Sequence, residues 1–214
     1  MCELADSLIG QECEKKLLMK TLDDRIKETK GNHLTETVVC VAEDKRGKIT
    51  GVGFNIENDL ILDNFGYWLE QVFTPVQSTS RLTSTADTKT YTGATCALQA
   101  WTTTYTSCPI LGTYIRIGEG VTFPVRSDYD LNTPFTSGSL ASFVATSEGS
   151  YTSGKISFMA SFAADVSGDC REAGVYGYWG WGSYIAMIFH DLIVPTVPFT
   201  IGQAVHVVYG VSFV

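Results

Sequence analysis

Carboxylates, glycines and histidines recur in this sequence at spacings that could serve chemistry. Asp165, Asp169 and Glu172 fall in one short stretch, as oxygen ligands for Ca2+ would. They lack the ligand density of a calcium-binding loop, so a solvated turn is favoured over a metal site. Asp128 and Asp130 flank Tyr129 and form a weaker pair of the same kind. Gly118-Glu119-Gly120 has the look of a phosphate-loop fragment, but no helical pattern follows it and Pro124 comes soon after. A turn between strands is the expectation there. His190 and His206 sit in strand-like stretches, where a hydrogen-bonded structural histidine is expected rather than a catalytic one.

Arg171-Glu172 opens the apolar stretch Ala173-Gly174-Val175-Tyr176 and is read as a structural ion pair that fixes a strand's register. An exposed pair contributes only about 0–1 kcal/mol. A buried glutamate must instead be hydrogen-bonded or paired, since losing its partner costs several kcal/mol. The chain has no GxSxG elbow, Walker loop, HExxH or dinucleotide fingerprint. No acidic pair has a role to play in glycoside cleavage. The expectation is a protein that is not an enzyme, with no catalytic, cofactor-binding or metal-binding residues.

Six cysteines, Cys2, Cys13, Cys40, Cys96, Cys108 and Cys170, form no CxxC pair, and no histidine lies at zinc-site spacing from them. Reduced, mostly buried thiols are expected, with a Cys96–Cys108 bridge left open. A net charge of -8 argues against a non-specific grip on nucleic acid or anionic lipid. No apolar run approaches the roughly 20 residues needed to span a bilayer. The first residues, MCELADSLIGQECEKK, lack the basic and apolar regions of a secretory signal. A soluble chain made in a cytoplasm is expected.

These residues need elements to position them, and the composition changes twice along the chain. Residues 1–32 are charged and poor in aromatics, and read as a helical attachment arm ending near Gly31-Asn32. Residues 33–214 read as one β-sandwich domain. Thr37–Ala42 is a β-branched strand, Glu43–Lys48 a polar turn, and Ile49–Ile56 the returning strand. Asn58 or Asp59 then caps a short helix with Ile61, Phe65, Leu69 and Val72 on one face, stopped by Pro75. A Thr/Ser-rich excursion occupies 74–108. Period-two alternation follows, with Ile156, Phe158, Ala160 and Phe162 on one face and Val205, Val207, Tyr209, Val211 and Phe213 on another. Half-buried antiparallel strands show this pattern. The fold class expected is mainly β, an antiparallel, jelly-roll-like sandwich with an N-terminal helical arm and one short helix.

Several segments together resemble a known family. They are the Asn58–Gly66 helix start, the Ile115–Gly120 I-x-I-G-x-G strand, an alternating strand ending near Ala163, R-E-A-G-V-Y (Arg171–Tyr176), A-M-I-F-x-x-L-I-V-P (Ala186–Pro195) and the final V-x-V-x-Y-x-V-x-F strand. Over residues 40–214, except 74–108, the chain resembles β-sandwich structural domains of tail, fibre and related virion proteins of tailed bacteriophages. The resemblance implies a virion component, synthesised in the host cytoplasm, that assembles as a symmetric oligomer with copies of itself and other virion proteins. It implies no catalytic residue. Where that family has a turn of small polar residues, this chain has GYWGWGS, which places Tyr178, Trp179 and Trp181 among glycines. The rings would contact another subunit, pack within their own domain or stack on a host-surface glycan. A carbohydrate-binding module for adsorption to a host cell is the alternative function.

Overall fold

The computed structural model describes residues 34–55, 62, 89–94, 110–152, 155–179 and 184–213. Their regular structure is nine strands: β1 (Leu34–Glu43), β2 (Ile49–Asn55), β3 (Ile110–Gly118), β4 (Val144–Ala145), β5 (Ser147–Thr152), β6 (Lys155–Ala163), β7 (Gly168–Trp179), β8 (Tyr184–Phe199) and β9 (Ala204–Phe213). A 3-10 turn at Ser139–Ala141 is the one helical piece among the described residues. The proposed arm at 1–32 and most of the helix and of the 74–108 excursion lie outside them. Of those segments, Leu62 and residues 89–94 are described, and the Leu62 side chain is buried.

The first hairpin forms as its residue types predict. The β-branched run Thr37–Ala42 lies inside β1, and the chain reverses through Asp44–Lys48 with Gly47 at a φ of 77°. The Asp44 carboxylate accepts from the backbone N–H groups of Arg46 and Lys48 at 2.8 and 3.0 Å, which replaces the ladder bonds lost in the turn.

All nine strands belong to one sheet in the order β4-β3-β7-β8-β2-β1-β9-β6-β5, and every pair is antiparallel. Strand β8 joins its two halves. It pairs with β7 along most of its length, while Ile193 and Val194 pair with Asn55 and Phe54 of β2. The close approach at this seam depends on Gly53. A Cβ there would lie 2.4 Å from the Pro195 carbonyl oxygen and 2.5 Å from the Ile193 side chain. The sheet curls until β3 and β4 come alongside β6, so it nearly closes on itself.

The enclosed core follows from the alternation. Pairing of β6 with β9 sets Phe158 opposite Tyr209, Ala160 opposite Val207 and Phe162 opposite Val205. Phe162, Val207, Tyr209 and Val211 are buried there with Val38, Ile115, Val175 and Phe189, and Phe158 packs beside them. Cys40 and Cys170 are free thiols in the same interior. A hydrogen bond to Cys40 that favours the protonated form, and then burial, push the Cys170 thiol well above its ordinary pKa.

A second apolar cluster lies on the outer face of β3, β7 and β8. Tyr176 and Met187 meet Leu131 and Leu62 there, with Tyr114, Phe143 and Ile185 packed against them. Phe143 stands edge-on to Tyr176 at 4.9 Å. The connection between β3 and β4 therefore folds back over this outer face, and it brings its carboxylates with it.

Candidate functional site

The outer face of β7 and β8 holds a buried histidine between two carboxylates. Glu172 and His190 stand on that face because their neighbours Ala173 and Asp191 point the other way, and in antiparallel pairing Gly174 lies opposite His190. His190 Nε2 is 2.9 Å from Glu172 Oε2, and its Nδ1 is 2.9 Å from Asp128 Oδ2. The side chains of His190 and Glu172 are 0% exposed and that of Asp128 is 16% exposed. An imidazole with an acceptor at each nitrogen is favoured in its doubly protonated form. Burial alone would lower the His190 pKa, but the bonds and charges of Glu172 and Asp128 outweigh it and raise the pKa.

Glu172 accepts more than the histidine. Backbone N–H groups of Gly120 (3.1 Å), Asn132 (3.0 Å) and Thr133 (2.7 Å) also donate to its carboxylate. Burial pushes this carboxyl up, while His190 and the amides of Thr133 and Asn132 more than offset that and hold it below the ordinary value. Gly118-Glu119-Gly120 contributes the Gly120 amide to this cradle, and Asn132 and Thr133 at the far end of the loop contribute the others. These amides do cradle an anion, and the anion is the protein's own Glu172. A Cβ on Gly120 would fall 2.5 Å from that carboxylate, so the cradle requires glycine.

Beside it, Asp130 accepts from Arg116 Nη1 at 3.0 and 3.2 Å and from the Tyr176 hydroxyl at 2.5 Å. The Arg116 guanidinium lies 5.0 Å from the centre of the Phe143 ring. Burial, then the Asp130 charge, raise the Tyr176 pKa well above the ordinary phenol value. The two aspartates that flank Tyr129 thus serve separate anchors: Asp128 holds His190, and Asp130 holds Arg116 and Tyr176. Sequence reading gave this pair little weight because its partners lie on distant strands.

Arg171 and Glu172 are not each other's partners. The β7–β8 register shifts between Cys170 and Glu172, and Arg171 at that irregularity turns to Asp169 at 2.7 Å while Glu172 turns to His190. Asp165 accepts from the Ser139 N–H at 2.7 Å. Asp165, Asp169 and Glu172 therefore do not converge, and no cluster of three metal-ligating groups exists among the described residues. His206 lies between Glu43 at 3.1 Å and Ser161 at 2.8 Å. Tyr178 is half-buried, edge-on to Tyr114 at 6.3 Å. Trp179 pairs with Tyr184 across the hairpin, but its side chain lies outside the described residues, as do Trp181, Cys96 and Cys108.

A second polar cluster was not anticipated. Asp191, on the inner face of β8, receives a hydrogen bond from Asn55 Nδ2 at 3.2 Å and another from Glu36. Burial raises the Asp191 pKa despite these bonds. Only the sheet topology brings Glu36, Asn55 and Asp191 together, from β1, β2 and β8.

The anchored loop ends in an apolar display. Val121 (65% exposed), Phe123 (59%), Val125 (53%) and Tyr129 (45%) are four of the seven large hydrophobic side chains exposed among the described residues. The chemistry of the cluster is that of a clamp, since its ionisable groups are engaged with each other and with the loop backbone. Compared with family models, with curated proteins and with solved structures, the chain matches none.

Proposed function

We propose that this protein is a non-enzymatic structural component of a particle, assembling as a symmetric oligomer through its β3–β4 connection. The observation that carries this reading is the pairing of a buried ionic clamp with an exposed apolar loop. Buried histidine–carboxylate bonds hold Val121, Phe123, Val125 and Tyr129 outward in water. Exposed apolar patches of this kind mark interaction surfaces, and large rings among them supply much of the binding energy.

The resemblance to virion proteins of tailed bacteriophages supplies the setting: a mainly β domain, here one nearly closed antiparallel sheet, present in many copies in a tail, fibre, neck or head-attached position. Its partners are then further copies of the chain and other virion proteins. The alternative, a carbohydrate-binding module, draws on the exposed rings of Phe123 and Tyr129.

Light scattering during size exclusion tests the proposal with the full chain and the double variant Val121→Ser/Phe123→Ser. The wild type is expected to run as an oligomer and the variant as a smaller species with the same melting temperature. Surface substitutions away from buried networks usually change stability by less than about 0.5 kcal/mol. A monomeric wild type that binds a glycan array through these residues would favour the alternative and overturn the assembly reading.

A further inference from the structure

Asp128 and Glu172 approach the same imidazole from opposite sides, yet they are held very differently. Glu172 is sealed and takes three backbone N–H bonds besides the histidine. Asp128 is partly open to water and takes one backbone bond, from Val125 at 2.9 Å, in a turn closed by the Asp128 N–H on the Val125 carbonyl, also 2.9 Å. We propose that His190, Asp128 and Glu172 form a two-sided pH latch on the 119–133 loop. Alkali releases the Val125–Asp128 turn, and acid releases the base of the loop at Gly120, Asn132 and Thr133.

The alkaline side follows from counting protons. A neutral imidazole has one N–H for two acceptors. The better-fixed Glu172 keeps it at Nε2, leaving the bare Nδ1 facing the Asp128 carboxylate at a separation where nothing now attracts them. Asp128 can turn to water, and its turn carries Val125 with it. The acid side follows from the cradle. Protonated Glu172 is a weaker acceptor for three amides and no longer a counter-charge for His190.

The charges that act on His190 are Glu172 of β7 and Asp128 of the loop. Arg116 of β3 and Tyr176 of β7 are engaged with Asp130. Asp191 points to the other face of β8 and feels the histidine's charge from there. Glu119 is exposed and accepts from the Asp169 N–H at 3.4 Å. The latch concerns how the loop is held and does not depend on what the loop docks against.

Nuclear magnetic resonance on the full chain tests it, with imidazole nitrogen shifts and amide protection followed from about pH 2 to pH 10. His190 is expected to be doubly protonated at neutral pH and to deprotonate to the Nε2–H tautomer. Protection at Val125 should fall about tenfold through that step while Gly120 and Thr133 change less. At the acid end Gly120, Asn132 and Thr133 should lose protection first, before the amides paired between β1 and β9. His190→Gln should abolish the alkaline step, leaving the Val125 amide poorly protected throughout. If that variant fails to fold, Asp128→Asn serves instead and should shift the histidine's titration to lower pH. A neutral His190 at pH 6, an alkaline step that survives His190→Gln, an unmoved titration in Asp128→Asn, or loop amides that open only with the whole sheet would each overturn the latch.

Discussion

His190 and Asp191 are neighbours on β8, and they sit in opposite electrostatic worlds. On the outer face, a cation lies between two anions, and amides from a folded-back loop complete the carboxylate's shell. On the inner face, Asp191 and Glu36 meet beside the apolar core with Asn55 for company, and the His190 charge reaches Asp191 only from the other face. Burial penalises charge in both places. What differs is the partner supplied, so Glu172 is held ionised while Asp191 is driven towards its neutral form. Buried charge survives here only where the fold delivers an opposite charge and spare donors.

The sharpest way to break this comparison is Glu172→Ala. It leaves a buried imidazolium beside one partly exposed carboxylate and removes the acceptor from three amides. A loss of about 3–5 kcal/mol is expected in urea unfolding. A loss under about 1 kcal/mol would mean that the outer cluster is not a clamp.

The wild-type pH profile should show the outer pair directly. The His190 pKa is raised when folded, so its contribution is complete below its free value of 6.5 and is lost as pH rises through the folded value. The Glu172 pKa is lowered when folded, so its contribution is present above 4.5 and is lost as pH falls through the folded value. This cluster therefore stabilises most between those limits.

Asp191→Asn probes the inner pair with the opposite expectation. A raised acid contributes stability below its free value of 3.8 and loses it as pH rises through the folded value. Asparagine removes that loss, keeps an acceptor oxygen for the bond from Asn55 and offers Glu36 an amide N–H. The variant should gain about 1 kcal/mol over wild type at pH 8, with the gain vanishing towards pH 3. Thermal melts at the two pH values would show it, and a variant less stable at pH 8 would place the proton elsewhere.

Arg171→Ala should have the smallest effect. The Arg171–Asp169 pair is 40% and 36% exposed, and water screens it. A loss of about 0–1 kcal/mol that disappears in 1 M salt is expected from chemical denaturation. A larger, salt-independent loss would show that this pair belongs with the buried clusters.

The sequence by itself determined several of the strands, though not β4 or β5. Alternation in 156–162 and 205–213, the β-branched run at 37–42 and the polar turn at 44–48 are local signals, because side-chain facing repeats every two residues whatever lies across the sheet. The same rule made it legible that a buried Glu172 would need partners. It could not say which ones, since Asp128 stands 62 residues from His190 and Gly120 stands 52 from Glu172. Those contacts arise when β3, β7 and β8 align and the β3–β4 connection folds back across them. Asp191 was less legible still. Adjacent to His190 in the chain, it is sent to the core by the pleat, and β1 and β2 bring Glu36 and Asn55 to it. Strand and facing follow from neighbours in sequence, whereas charge state follows from neighbours in space, and only the tertiary structure supplies those.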